Sequence, residues 1–251
     1  MTPGVALRLD DVSKVYGGER HLVHALDRVS LEVRRGEFLC LLGASGCGKS
    51  TLLSIIAGLD RPSAGTVDAQ GARTALMFQE SALFPWLTAQ RNVELALKLR
   101  GVPRRERAEQ ALHLLDVVRL GEFARKAPHE LSGGMRQRVA LARALAQQAD
   151  ILLMDEPFGA LDAMTRDVLH DELERVWSET GLTVVFVTHN VREAARLGDR
   201  VVLLSSRPGR VAEEYDVPFD RPRRIEDPEV SALAGTITER LREEVRRHGT
   251  R

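Results

Sequence analysis

Three features of this sequence predict an α/β fold with a mostly parallel sheet. Residues 151–157 (ILLMDEP), 183–189 (TVVFVTH) and 200–206 (RVVLLSS) are short, nearly continuous apolar runs. Such runs suit parallel strands covered by helices on both faces. Helical patterns around residues 163–179 and 190–197 separate them, which is the alternation a parallel sheet requires. Nearer the start, a strand, a glycine-rich loop and a helix stand in series between residues 37 and 59.

Taken in order, LRLDDVSKVY, VHALDRVSLEV and EFLCLLGA are strand-length pieces separated by turn signals at Gly17-Gly18 and Arg35-Gly36, so the N-terminal region is β-rich. From Lys49 to Leu59, KSTLLSIIAGL has apolar residues at helical spacing, stops near Gly58 and is followed by Pro62. Residues 87–146 are dominated by helical patterns such as VELALKL and RAEQALHLLDVVRL, the latter apolar at 111, 114, 115 and 118. The last forty residues pass through a connector, FDRPRR, to a terminal helix. Asp227 can cap that helix, Pro228 suits its first position, and Val230, Leu233, Ile237, Leu241 and Val245 form one apolar stripe.

Thirty-six basic residues balance thirty-six acidic ones, so no overall field steers the 251-residue chain toward nucleic acid or anionic lipid. No apolar stretch approaches the roughly 18 residues that span a bilayer, and MTPGVALRLDD lacks the charged and apolar regions of a secretory signal, so a cytoplasmic location is expected. Cys40 and Cys47 make neither a disulfide framework nor a zinc site, and Cys40, in an apolar run, reads as a small buried hydrophobe.

Gly43-Ala44-Ser45-Gly46-Cys47-Gly48-Lys49-Ser50 matches G-x-x-x-x-G-K-[ST] between a predicted strand and a predicted helix, the context that marks a phosphate loop. Its glycines let backbone N–H groups surround phosphate oxygens, and the following helix adds the positive end of its dipole. Lys49 should pair with the β- and γ-phosphates and Ser50 should coordinate Mg²⁺, with Thr51 completing the loop. Asp155 and Glu156 end an apolar strand that would deliver them beside this loop. There Asp155 suits a Mg²⁺-water contact and Glu156 can polarise the water that attacks a γ-phosphate. Ser132, Gly133 and Gly134 open another helix with exposed donors at its positive end; alone, they describe an ordinary capped helix. Cys47, near a helix N-terminus, should favour the thiolate, so that alkylation blocks ATP binding.

In this order and spacing, Tyr16 of VYGG, the phosphate loop, Gln79 of MFQE, LSGGMRQR, ILLMDEP, Ala160-Leu161-Asp162 and His189 of VTHN make nearly the whole chain resemble the ATP-binding subunit of ABC transporters. Met135 and Asn190 depart from the usual Gln and Asp without removing a proposed catalytic group. The resemblance implies an α/β P-loop NTPase core with a mostly parallel sheet, an N-terminal antiparallel β subdomain and an inserted α-helical subdomain. The core would comprise residues 1–86 and 147–220, the helical subdomain 87–146, and a C-terminal connector and helix 221–251. It further implies that Tyr16 stacks on adenine, that Gln79 touches Mg²⁺ and the attacking water, and that His189 contacts the γ-phosphate. Two copies would pair head to tail, with Ser132, Gly133 and Gly134 of one closing over ATP held by the other, and Asp162 contacting the opposite phosphate loop.

The chain has only eleven Phe, Tyr and Trp residues, yet FQESALFPWLT places Phe84 and Trp86 on either side of Pro85. In the resembled family this segment forms a groove for a cytoplasmic helix of the permease, lined here by Phe84, Pro85, Trp86 and Leu87. Alternatively, Trp86 packs inside the helical lobe. FQESALFPWLTAQRNV, DEPFGALDAMTR and LGDRVVLLSSRPGRV are similar to the nitrate, sulfonate and taurine branch of importer ATPases, which implies a permease, a periplasmic or extracellular solute-binding protein and the cytoplasmic face of the membrane. The end soon after the terminal helix leaves no room for an extra regulatory β-domain. An exporter or lipoprotein-extraction ATPase shares the nucleotide motifs. A soluble ABC ATPase acting on nucleic acid or ribosomes would show a coiled-coil insertion, zinc cysteines or a second fused ATPase, and none is present.

Overall fold

The computed structural model describes residues 4–17 and 22–248 and forms, among these, nine strands and seven α-helices. The predicted turn signal at Gly18 lies outside the described residues. β1 (Val5–Tyr16) pairs antiparallel with β2 (Val23–Arg34), Leu9 opposite Leu31, and with β4 (Ala64–Asp68), Leu9 opposite Val67. A second, six-stranded sheet runs β5-β6-β7-β3-β8-β9. Its members are β3 (Phe38–Leu42), β5 (Thr74–Met77), β6 (Ile151–Asp155), β7 (Thr183–Thr188), β8 (Arg200–Leu204) and β9 (Val211–Asp216). All neighbours are parallel except β8 and β9.

Apart from polar residues at their ends, such as Asp155, Thr188 and Arg200, the central strands are apolar because both faces are covered, yet side chains still alternate between faces. Leu39, Leu41, Leu153, Val185 and Val202 pack toward the antiparallel sheet and α1 (Lys49–Ile56). Phe38, Cys40, Leu152, Met154, Phe186 and Leu203 face the other way, into a core shared with α2 (Ala89–Leu99), α3 (Arg104–Val117), α4 (Gly133–Leu145), α5 (Ala163–Thr180), α6 (Val191–Leu197) and α7 (Pro228–His248). Each fully buried Leu, Val or Phe contributes about 1.5–3 kcal/mol of transfer free energy. This double burial fixes β3 and β6 rigidly, and both carry site residues at their C-terminal ends. Among the described residues no helix is long and apolar enough to cross a membrane.

The terminal helix departs from the expected stripe at both ends. Pro228 occupies its first position, but the Asp227 carboxylate accepts from the Arg224 N–H instead of capping the helix. Val230, Ala234 and Ile237 are buried, whereas Val245 is exposed and Glu244 buried. An alternating step of four and three residues tracks the covered face through 230, 234, 237, 241 and 244, so Glu244 reaches the protein side, where Arg240 and Arg247 pair with it.

Candidate functional site

The phosphate loop follows β3 and turns directly into α1. Gly48 stands at the helix N-cap with φ 101°, and a Cβ there would meet the Ala25 carbonyl at 2.7 Å, so the position requires glycine. No side chain caps α1, which leaves its first N–H groups available to an anion. Lys49, only 5% exposed, donates from Nζ to the carbonyls of Gly43 (2.7 Å) and Ala44 (3.0 Å), and Nζ stands 3.8 Å from Oε1 of Glu156.

β6 runs parallel to β7, which is parallel to β3, so Asp155 and Glu156 emerge at the same sheet edge as the loop. The Ser50 hydroxyl beside Asp155 favours its carboxylate, but burial dominates and holds its carboxyl above the ordinary range. Glu156 adopts φ 44°, uncommon for a non-glycine residue, and its N–H is tied to the Val187 carbonyl at 3.0 Å. Its Oε2 lies 2.8 Å from Nδ1 of His189. The His189 turn is itself braced: Thr188 Oγ1 accepts from the Asn190 N–H and donates to Glu193, whose other oxygen meets buried His170 at 2.6 Å.

Tyr16, Ser45, Gly46, Gly48, Lys49, Ser50, Thr51, Gln79, Asp155 and Glu156 line one cavity of about 460 Å³. Tyr16 is 41% exposed, and its hydroxyl donates to Asp60 Oδ2 at 2.8 Å. Lys14 and Tyr16 together pull the Asp60 carboxyl down to about 2. Ser50 and Asp155 offer hard oxygen donors side by side, a set that suits Mg²⁺ held jointly with phosphates. Among the described residues there is no cluster of three or more carboxylate, His or Cys ligands, so a divalent cation here would need the substrate's oxygens to complete its shell.

Ser132, Gly133, Gly134 and Asp162 do not line this cavity. Ser132 is the N-cap of α4, its Oγ accepting from the Met135 N–H at 3.2 Å, and Asp162 caps α5 by accepting from Thr165 N–H at 3.0 Å. Gly133 lines a separate cavity of about 490 Å³ with Arg136, Gln137, Ala160 and Leu161. Gln79 lines both, and its carbonyl accepts from Gln137 Nε2 at 2.7 Å. It therefore links the two surfaces within one chain.

Three expectations are corrected. Cys47 is 1% exposed, and burial raises its thiol above the ordinary value despite the neighbouring Lys49 charge, so the thiolate is not favoured. Trp86 is 75% exposed and therefore no part of the lobe's core. Its ring leans on Phe84 at a centroid distance of 5.5 Å. The adjoining groove, about 810 Å³, is lined by Phe84 with Leu76, Leu95, Leu99, Arg100 and Arg143, not by Pro85, Trp86 or Leu87. Sequence reasoning also missed Asp60 and Arg207, the latter a lining residue of the nucleotide-sized cavity. The Pro208-Gly209 pair after the predicted strand at 200–206 signals a turn there but not its place beside the phosphate loop.

A family profile described as ABC transporter matches residues 26–159. The chain belongs to the ABC transporter family. It is 47% identical to the taurine import ATP-binding protein TauB of Rhizobium johnstonii, over 96% of this chain and 95% of that one. To the nitrate import ATP-binding protein NrtD of a Synechocystis species it is 43% identical, over 94% and 95%. Among solved structures, the dimeric post-hydrolysis state of the ATP-binding cassette MJ0796 with ADP and Pi superposes with a TM-score of 0.74 at 36% identity, covering 85% of this chain and all of that one. As an ABC transporter ATP-binding protein, the chain is an ATPase with the cassette fold.

Proposed function

We propose that this chain is the ATP-hydrolysing subunit of an importer for nitrate, taurine or an aliphatic sulfonate, working as a head-to-tail homodimer on the cytoplasmic face of the membrane. The similarity to TauB and NrtD supports the transport class. The observation that carries the pairing is the division of the site: the phosphate loop, Asp155 and Glu156 share one cavity, while Ser132, Gly133 and Gly134 lie outside it. A second copy would present its α4 N-terminus to the phosphates, adding donors and excluding water.

In this scheme Tyr16 stacks on adenine, the amides of residues 43–51 cradle the phosphates, and Lys49 leaves its two carbonyls to pair with β- and γ-oxygens. Bound Mg²⁺ would neutralise developing charge on the phosphates, held by Ser50 with Asp155 and Gln79 reaching it through water. Glu156 accepts a hydrogen bond from the attacking water, and His189 orients Glu156 and reaches the γ-phosphate. Asp162 meets the loop of the opposite copy. Phe84, the exposed Trp86 and the groove beside them, which mixes leucines with arginines, form the seat for a permease helix.

The test is co-expression with candidate permease subunits from the same organism. Recovery of a two-ATPase, two-permease assembly whose ATP hydrolysis rises with a receptor loaded with one of the three anions or zwitterions is expected. Isolation with nucleic acid or ribosomes instead, or loaded receptors without effect, would overturn the importer assignment.

A further inference from the structure

The turn between β8 and β9 is built against the phosphate loop. Gly209 donates its N–H to the Ala25 carbonyl at 2.9 Å, and its own carbonyl accepts from Asp27 N–H at 3.0 Å. A Cβ at Gly209 would stand 2.2 Å from the Cys47 carbonyl, so only glycine permits this approach. Ser205 closes the turn by donating to the Pro208 carbonyl and accepting from Arg210 N–H, both at 3.0 Å. The root of Arg207 is thereby fixed at the lip of the loop. Its guanidinium lines the same cavity as Lys49, Ser50 and Tyr16, and Nη2 lies 3.5 Å from where a Gly46 Cβ would be. Among the described residues Arg207 has no hydrogen-bonding or ion-pair partner, whereas Arg210 of the same turn is paired with Asp27.

We propose that Arg207 is a further ligand of the nucleotide's phosphate chain. The inference rests on the proposal that the loop holds ATP. The cavity sets two carboxylates, Asp155 and Glu156, against one lysine, and a nucleotide adds several further negative charges. An unpaired guanidinium at the lip offsets that excess, and its planar fork matches phosphate oxygens. It enters the cavity from the β8–β9 turn beside Gly46, so phosphates held on the α1 amides would meet a second cation in the same cavity. The contact requires no second copy.

ATP and ADP are titrated into the full-length wild-type chain and the variants Arg207→Gln, Arg207→Lys and Arg210→Gln, at low and high salt. Arg207→Gln is expected to bind both nucleotides roughly tenfold more weakly, with a shallower salt dependence, because one charge-assisted contact is lost. Arg207→Lys should recover to within about threefold of wild type, since a lysine still serves phosphate as a point charge. Arg210→Gln should bind as wild type. Unchanged affinity in Arg207→Gln, no recovery with lysine, or an equal loss in Arg210→Gln overturns the proposal. A wild-type chain that binds neither nucleotide removes the ATP site itself and is thereby distinguished from a failure of Arg207.

Discussion

His189 Nδ1 and Glu156 Oε2 stand 2.8 Å apart, joining the turns that follow β7 and β6. Glu156 is thus held from one side by an imidazole and from the other by Lys49 at 3.8 Å, leaving its carboxylate in the cavity wall. Glu156→Gln keeps the shape and one acceptor but loses the charge proposed to polarise water. ATP hydrolysis should fall by about 10²–10⁴-fold, while ATP affinity stays near wild type. Phosphate release, nucleotide titration and size-exclusion chromatography with Mg-ATP check this: the variant should accumulate as a closed dimer, and hydrolysis at the wild-type rate would remove Glu156 from its role.

Lys49 needs a different substitution. Its ammonium is buried and satisfied by the Gly43 and Ala44 carbonyls, so Lys49→Met retains the stem and removes the charge. ATP affinity should drop by about 10–150-fold, the loss of a charge-assisted hydrogen bond worth roughly 1.5–3 kcal/mol. Isothermal titration reads the affinity, and a thermal melt shows that the loop still folds.

The chemistry was legible where it was carried by residue type and spacing within a few positions. The phosphate loop, the Asp155-Glu156 pair and the strand runs beside them could be read because double burial makes β3 and the interiors of β6 and β7 apolar. Asp60 and Arg207 were not legible, since each reaches the site across the fold from an otherwise ordinary turn. β4 escaped notice for a related reason: AGTVD is mostly exposed and is held by its pairing with β1, not by a hydrophobic pattern. Cys47 was misjudged because proximity to a helix N-terminus was weighed without the desolvation that outweighs it.

Trp86 separates a docking surface from a core. A buried Trp→Ala costs about 3–5 kcal/mol, whereas the exposed Trp86 has a ring contact with Phe84 to lose, about 0.5–1.5 kcal/mol. Trp86→Ala should therefore unfold in urea within about 1.5 kcal/mol of wild type and keep its basal ATPase, yet lose association with the permease in a pull-down. A loss of stability near 4 kcal/mol would contradict the exposure of its ring.

Cys47 should resist alkylation at neutral pH. Burial raises its thiol, so the reactive thiolate is scarce there. Iodoacetamide modification, followed by mass spectrometry, should continue to climb about tenfold per pH unit past pH ~8.5, where an ordinary thiol begins to level off. A rate that plateaus below that pH would restore the activated thiolate.

Asp60 ties the Tyr16 end of the site to a pH dependence. Its carboxylate accepts from Lys14 Nζ at 2.6 Å and from the Tyr16 hydroxyl at 2.8 Å, and its folded-state value is about 2, below the roughly 3.9 of an unfolded chain. The folded state therefore binds the proton less readily than the unfolded one, and the stabilisation is present above pH ~4 and disappears as pH falls toward 2. Asp60→Asn keeps an acceptor for Lys14 or Tyr16 but removes the charge. The stability gap between wild type and Asp60→Asn, measured by urea unfolding at pH 7, 5, 4 and 3, should be constant down to pH 5 and narrow below pH 4. Added salt should shrink the gap at pH 7, because the pair is at the surface and screened. A gap that ignores both pH and salt would mean that the carboxylate acts through shape alone, and Tyr16 would then owe its orientation to packing and not to charge.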